Sequence, residues 1–256
     1  MASTLDSEPG AAVKEELEEL ARACRILEIE DQGDRVFGHM ALRERDGRGF
    51  WMKRSGIGLG EARDWRDFVL LSFDGEKLGG PGRPHSEWPI HAEIMRRRDD
   101  VMTTAHTHPF YASVLSASTE PLRTVVSRTN SQPEMPPRYE DTSELIRDVD
   151  QGRGVAEALG DHWAVFLRNH GIVTCGRTIP QPVLVAVAFE KMCREAITIG
   201  ASSLDWSWPD EDELAAKRRA IPVGNERVVW AYYCRKLARA EAMGDPLLSR
   251  EHIPIE

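Results

Sequence analysis

Four cysteines in 256 residues, few aromatics (7%) and a deficit of basic charge narrow the possibilities before any motif is read. Cys24, Cys175, Cys193 and Cys234 are far apart and form no CxxC pair. That argues against a disulfide framework and predicts reduced thiols in a cytoplasmic protein. Lys and Arg total 33 against 42 Asp and Glu, a formal net charge of −9. A general nucleic-acid binder needs a clustered basic surface, so nucleic acid is not an expected partner. No apolar run reaches the ~20 residues of a membrane helix. The opening MASTLDSEPGAAVKEELEEL also lacks the basic and apolar regions of a secretory signal. Neither a membrane nor an export route is therefore expected. What remains, 41% hydrophobic and 29% charged residues, is an ordinary globular composition.

Residues 1–10 are small and polar and read as a disordered N-terminus, with one domain over 11–256. Val13, Leu17, Leu20, Ala21, Cys24 and Leu27 recur at helical spacing, predicting a helix from Ala11 to about Glu30. Strands are expected at Val36–Arg43, Gly49–Lys53 and Asp67–Ser72, with turns at Asp46-Gly47 and Asp74-Gly75 and a short extension at Lys77–Leu78. Ser86 is placed as the N-cap of a helix from Glu87 to about Arg98. Further on come a strand at Val101–His108, a helical Tyr111–Ser116, a proline-rich loop over 130–140 and a short helix at Gly154–Leu159. One long strand, Trp163–Thr174, and helices at Val183–Ile199 and about Asn225–Met243 follow. Strands and helices interleave, and several connections are too short for parallel crossovers, which predicts one α/β domain with a mixed sheet.

Three segments carry chemistry. His106 and His108 are two apart on a predicted strand, so both imidazoles leave one face, roughly 7 Å apart along the chain. Alone, the pair fits hydrogen-bonded histidines at a strand end as well as half of a metal site. Asn169-His170-Gly171 interrupts an apolar strand, which is costly unless its polar groups have partners, and Gly171 permits close approach of another backbone or a ligand. Glu87 opens a helix, where a carboxylate is also favoured by the helix dipole alone. Together they supply three imidazoles and a carboxylate, the donor set of a catalytic metal site with an open position.

The ordered series Gly38–Arg43, Ser55-Gly56, Ser86-Glu87, His106-Thr107-His108-Pro109 and Asn169-His170-Gly171 resembles the class II aldolase/adducin family from about Ala11 to Gly200. The resemblance implies a three-layer α/β/α sandwich with a mixed, mostly antiparallel central sheet. It also implies a cyclic homotetramer with active sites near subunit interfaces. By motif, His106, His108 and His170 match the metal-binding histidines, for one divalent ion (Zn, Mn, Fe or Co). Glu87 matches the carboxylate that ligates the metal of the empty site and transfers protons during turnover.

The sugar-phosphate members cradle phosphate with Gly-Asn-x-Ser, Thr-x-Ser-Gly and Ser-Ser turns. Here these read Gly38-His39-Met40-Ala41, Lys53-Arg54-Ser55-Gly56 and His85-Ser86. A phosphate cradle depends on several small donors at close range, so a phosphate site of that kind is not expected. Arg54 and His39, with Ser55, Gly56 and Ser86, are instead the expected contacts of a small carboxylate substrate, Arg54 by a bidentate pair. Trp51, Trp88, Phe110 and Tyr111 lie beside the motifs as candidate aromatic walls. The expected activity is metal-dependent C–C bond cleavage, by decarboxylation or aldol cleavage, of a non-phosphorylated hydroxy or oxo carboxylic acid. Two alternatives stay open: an Fe(II) oxygenase on the same histidines, and a non-catalytic adducin-like binding module.

Overall fold

A computed structural model of the chain describes residues 8–119, 136–210, 212–213, 215–216 and 225–255. The expected disorder of residues 1–10 falls mostly outside these, and residues 8–10 run without regular structure into α1 (Ala11–Ile29). The strands β1 (His39–Arg43), β2 (Gly49–Lys53), β3 (Phe68–Ser72), β4 (Lys77–Gly79), β5 (Thr103–Thr107), β6 (Arg138–Tyr139), β7 (Ala164–Leu167) and β8 (Gly171–Gly176) form one sheet. Its order is β4-β3-β2-β1-β5-β8-β7-β6. Every neighbouring pair is antiparallel except β6 with β7, which is parallel.

Period-two alternation sends side chains to two separate cores. Met40, Leu42, Phe68, Leu70 and Phe166 face α1, α3 (Phe110–Ser116), α5 (Pro180–Gly200) and α6 (Asn225–Met243). Ala41, Val69, Leu71, Val165 and Val173 face α2 (Trp88–Arg97) and α4 (Val149–Leu159). Helices cover both faces, which makes the three-layer α/β/α arrangement with a mostly antiparallel sheet. Cys24, Cys175 and Cys193 are buried free thiols. No helix among the described residues is long and apolar enough to cross a membrane.

Five local departures from the sequence reading have physical causes. The chain turns at Asp34–Phe37, closed by a Phe37 N–H bond to the Asp34 carbonyl with Arg35 at φ +52°, so β1 starts at His39 rather than Val36. Ser86 is not the N-cap of α2; the cap position falls on Glu87, after a turn in which the Trp88 N–H donates to the His85 carbonyl. The segment Trp163–Thr174 is a hairpin, not one strand. Asn169 at φ +55°, a conformation this residue type tolerates, reverses the chain between β7 and β8. α4 begins five residues before Gly154, because Asp148 and Gln151 form a capping box. The proline-rich stretch of 130–140 lies partly outside the described residues, and its end forms β6 against β7 instead of remaining loop.

Candidate metal centre

The candidate site forms where the C-terminal end of β5, the β7–β8 hairpin and the start of α2 meet. The β5–β8 register pairs His106 with Val173 and Thr107 with Ile172, so the hairpin tip stands beside His108. Gly171 lets it do so: a Cβ there would come within 2.5 Å of the Thr107 carbonyl oxygen and 2.7 Å of the His108 ring. His106 Nε2 and His108 Nε2 are 3.0 Å apart, and the His108 and His170 rings stack with centroids 5.1 Å apart. His106 Nδ1 donates to the Ile172 carbonyl at 2.9 Å, since a carbonyl can only accept. That makes Nε2 a lone pair, here facing His108 Nε2, the arrangement that fixes a metal-binding tautomer.

Glu87 is 2% exposed and reaches the histidines from the α2 side. Its Oε2 lies 3.6 Å from His106 Nε2 and 3.9 Å from His39 Nε2; its Oε1 lies 3.8 Å from His170 Nε2 and accepts the Ile146 N–H at 2.9 Å. Burial pushes its carboxyl up, but the facing His106 and His39 outweigh that and hold it well below the usual carboxylate range. Both ring nitrogens of His170 and the Nδ1 of His108 are buried without a hydrogen-bond partner. Orphaned imidazole nitrogens are expensive in an apolar interior. His106, His108 and His170 offer nitrogens all within 4.8 Å of one another, and His39, Glu87 and His106 form a second such group. This donor chemistry fits a divalent ion of the Zn, Mn, Fe or Co kind.

The other expected contacts fall differently. Arg54 is buried and already engaged: its Nε faces Asp67 at 3.4 Å and its Nη2 donates to the Ile253 carbonyl at 2.6 Å. His39 is wholly buried and turns its Nδ1 to His91 Nε2 at 2.7 Å. The expectation that these two grip a substrate carboxylate therefore gives way to internal roles. Ser55 bonds the Arg83 carbonyl through N and Oγ, Gly56 takes φ +83°, and Ser86 is exposed. Trp51 is a core residue and Trp88 packs on the α2-side core, while Phe110, right after His108-Pro109, is 70% exposed. Sequence reasoning missed His91, one turn after Glu87 on the buried face of α2, and Asp34, whose Oδ2 lies 3.8 Å from His108 Nδ1. The four-residue spacing of Glu87 and His91 was a usable signal; the irregular loop holding Asp34 offers none.

Buried imidazoles resist protonation. His85 and His170 are pushed down to about 4, His91 to about 3 and His108 to about 2, with His39 well below its ordinary value. Burial is the main cause; the neighbouring imidazoles, and Lys53 for His85, add to it. Unfolding restores a value near 6.5, so below that pH the unfolded chain binds more protons than the native one. The metal-free protein is therefore expected to lose stability as pH falls from about 6.5 to 4, each such histidine contributing up to about 1.4 kcal/mol per pH unit. Urea unfolding across that range checks this; a flat profile would contradict the burial of neutral imidazoles.

The family described as "Class II Aldolase and Adducin N-terminal domain" matches residues 18–197. A 3,4-dihydroxyphthalate decarboxylase of a Terrabacter species is 25% identical over 227 residues, covering 83% of this chain and 93% of that protein. A 5-methylthioribulose-1-phosphate/5-deoxyribulose-1-phosphate aldolase of Rhodospirillum rubrum is 28% identical over 159 residues, 60% of this chain and 68% of that protein. An aldolase II superfamily protein of Pseudomonas syringae superposes with a TM-score of 0.77 at 22% identity, over 88% of this chain and 93% of that one.

Proposed function

We infer the chemistry from one premise: the chain belongs to the class II aldolase and adducin family. Relatives that are decarboxylases and aldolases support a lyase-type function. The reading proposed here is metal-dependent cleavage of a carbon–carbon bond, by decarboxylation in preference to aldol cleavage, in a small non-phosphorylated hydroxylated acid. The observation that carries it is the gathering of three imidazoles, two of them with unpartnered buried nitrogens, beside one buried carboxylate that faces His106 and His170. His106, His108 and His170 would hold the ion. When bound, it supplies a Lewis acid that polarises the substrate's oxygen atoms and stabilises the charge left as the bond breaks.

Glu87 moves the proton. Its carboxylate, ionised at neutral pH, takes the proton of the substrate hydroxyl at Oε2. The substrate's C–CO₂ bond then breaks with its electron pair kept on carbon, and Glu87 returns the proton there. Burial of Glu87, His39 and His106 excludes water from that transfer. Ser86 and the Ser55-Gly56 turn remain the contacts proposed for the substrate's anionic group. A phosphate is disfavoured because residue 39, a small donor in the sugar-phosphate members, is here an imidazole already turned to His91. A homotetramer in which a neighbour covers exposed Phe110 and Val114 belongs to the same proposal.

The experiment supplies the purified protein with each divalent metal and presents two panels, hydroxylated aromatic carboxylic acids and phosphorylated ketoses. Carbon dioxide release from the first panel, with at most weak cleavage of the second, is the expected result. Efficient aldol cleavage of a phosphorylated ketose with no carbon dioxide from any acid overturns it.

A further inference from the structure

His91 lies four residues after Glu87, so both project from the same face of α2 toward the sheet. On the sheet below, the β1–β5 register sets His39 opposite His106 and Ala41 opposite Thr104. Thr104, His106 and His39 therefore share one face beneath α2. Three of these groups join in a line: Thr104 Oγ1 is 2.6 Å from His91 Nδ1, and His91 Nε2 is 2.7 Å from His39 Nδ1. All three residues are wholly buried. The last nitrogen, His39 Nε2, has no hydrogen-bond partner and faces Glu87 Oε2 at 3.9 Å. At that length the contact is charge–dipole rather than a hydrogen bond.

Counting hydrogens gives this line a direction. Each contact needs one hydrogen, and a neutral imidazole carries one N–H. An ionised carboxylate only accepts, so His39 must present Nε2–H to Glu87. Its Nδ1 is then a lone pair, which needs the N–H of His91 Nε2. The Nδ1 of His91 is in turn a lone pair, which only the Thr104 hydroxyl can serve. The opposite polarity would set the Nε2 lone pair of His39 against the carboxylate, with repulsion in a buried, low-dielectric space.

We propose that Thr104, His91 and His39 form a one-way hydrogen-bonded strut that positions Glu87 for proton transfer. The strut holds His39 in the Nε2–H tautomer and aims that donor at Oε2, while the Ile146 N–H holds Oε1. His39 is thus a positioning residue, although its place in the chain suggested a substrate contact. The inference rests on the reading of Glu87 as the proton-transfer group.

The test separates the hydroxyl of Thr104 from its methyl. Thr104→Val keeps the shape and loses the hydroxyl; Thr104→Ser keeps the hydroxyl and loses the methyl. The strut requires kcat to fall about tenfold in Thr104→Val, with KM and metal content unchanged, and to recover in Thr104→Ser. A packing role gives the reverse order, and that order overturns the proposal. Nitrogen-15 NMR of histidine-labelled, zinc-loaded protein, assigned with His39→Asn and His91→Asn, reads the tautomers without any turnover. Nε2–H on both residues in the unsubstituted protein, with His91 losing that preference in Thr104→Val, supports the strut; Nδ1–H on either overturns it. Correct tautomers without carbon dioxide release would sink only the proposed reaction, whereas turnover with reversed tautomers would sink only the strut.

Discussion

Replacing His106 and His108 together with alanine is expected to yield a folded protein that retains no divalent ion and shows no measurable turnover. β5 is held by backbone pairing to β1 on one side and β8 on the other, and the one imidazole bond between strands is that of His106 Nδ1 to the Ile172 carbonyl. The fold therefore survives, and removal of a close pair of buried imidazoles relieves desolvated polar groups as much as it opens space. The metal does not survive. Loss of a mere hydrogen-bond partner of a ligand already costs roughly 10–100-fold in affinity, so losing two of three proposed ligands costs far more. Elemental analysis after dialysis, beside circular dichroism of the same sample, decides it. Full metal occupancy in the folded double variant would show that the ion sits elsewhere, the Asp64, Asp67 and His252 group being the one left intact.

Glu87→Gln should behave in the opposite way: metal kept, kcat lowered roughly 10²–10⁴-fold, the usual worth of one positioned acid–base group. Three imidazoles still hold the ion. The Ile146 N–H still has a carbonyl oxygen to donate to, but the new amide NH₂ then faces His39 and His106, where a carboxylate oxygen stood. Proton transfer near neutral pH is best served by a carboxyl whose pKa is raised by desolvation. In the structure desolvation does raise that of Glu87, yet the facing imidazoles pull it lower still. In the proposed reaction Glu87 thus begins the cycle as a base rather than as an acid. Rates and metal content measured on one sample test both halves, and near-normal kcat with metal bound would reduce Glu87 to a structural carboxylate.

Where periodicity was strong, the fold was legible. The α1 stripe agrees with the structure because its apolar spacing and its buried residues coincide. The Gly49–Lys53 strand and the Asn225–Met243 helix also fall where expected, the first buried at every position and the second burying Tyr233 and Leu237. The β7–β8 hairpin was not legible as such, since its apolar arms read as one run and only Asn169 marks the reversal. The gathering of His106, His108, His170 and Glu87 was anticipated through motif order, not through periodicity. Arg54 shows what stays hidden: its carbonyl partner lies 199 residues along the chain, and no local pattern announces such a contact. His91 was hidden for another reason. α2 is packed between the sheet and α4, so a position beside the Ile90–Ile94 stripe is buried as well.

The C-terminal segment closes on the loop after β2 through three guanidinium groups. Arg25 and Arg63 both donate to the Ser249 carbonyl, Arg54 donates to that of Ile253, and the Ser249 N–H returns to the Gly60 carbonyl. Gly60 in turn leaves no room for a side chain, because the Leu247 carbonyl oxygen would lie 2.0 Å from its Cβ. A stretch without regular structure thereby has its carbonyls satisfied by arginines rather than by a sheet. The loop bearing Ser55 and Gly56 and the far end of the chain consequently open together or not at all. In hydrogen exchange they would behave as one cooperative unit, although nearly two hundred residues separate them in sequence.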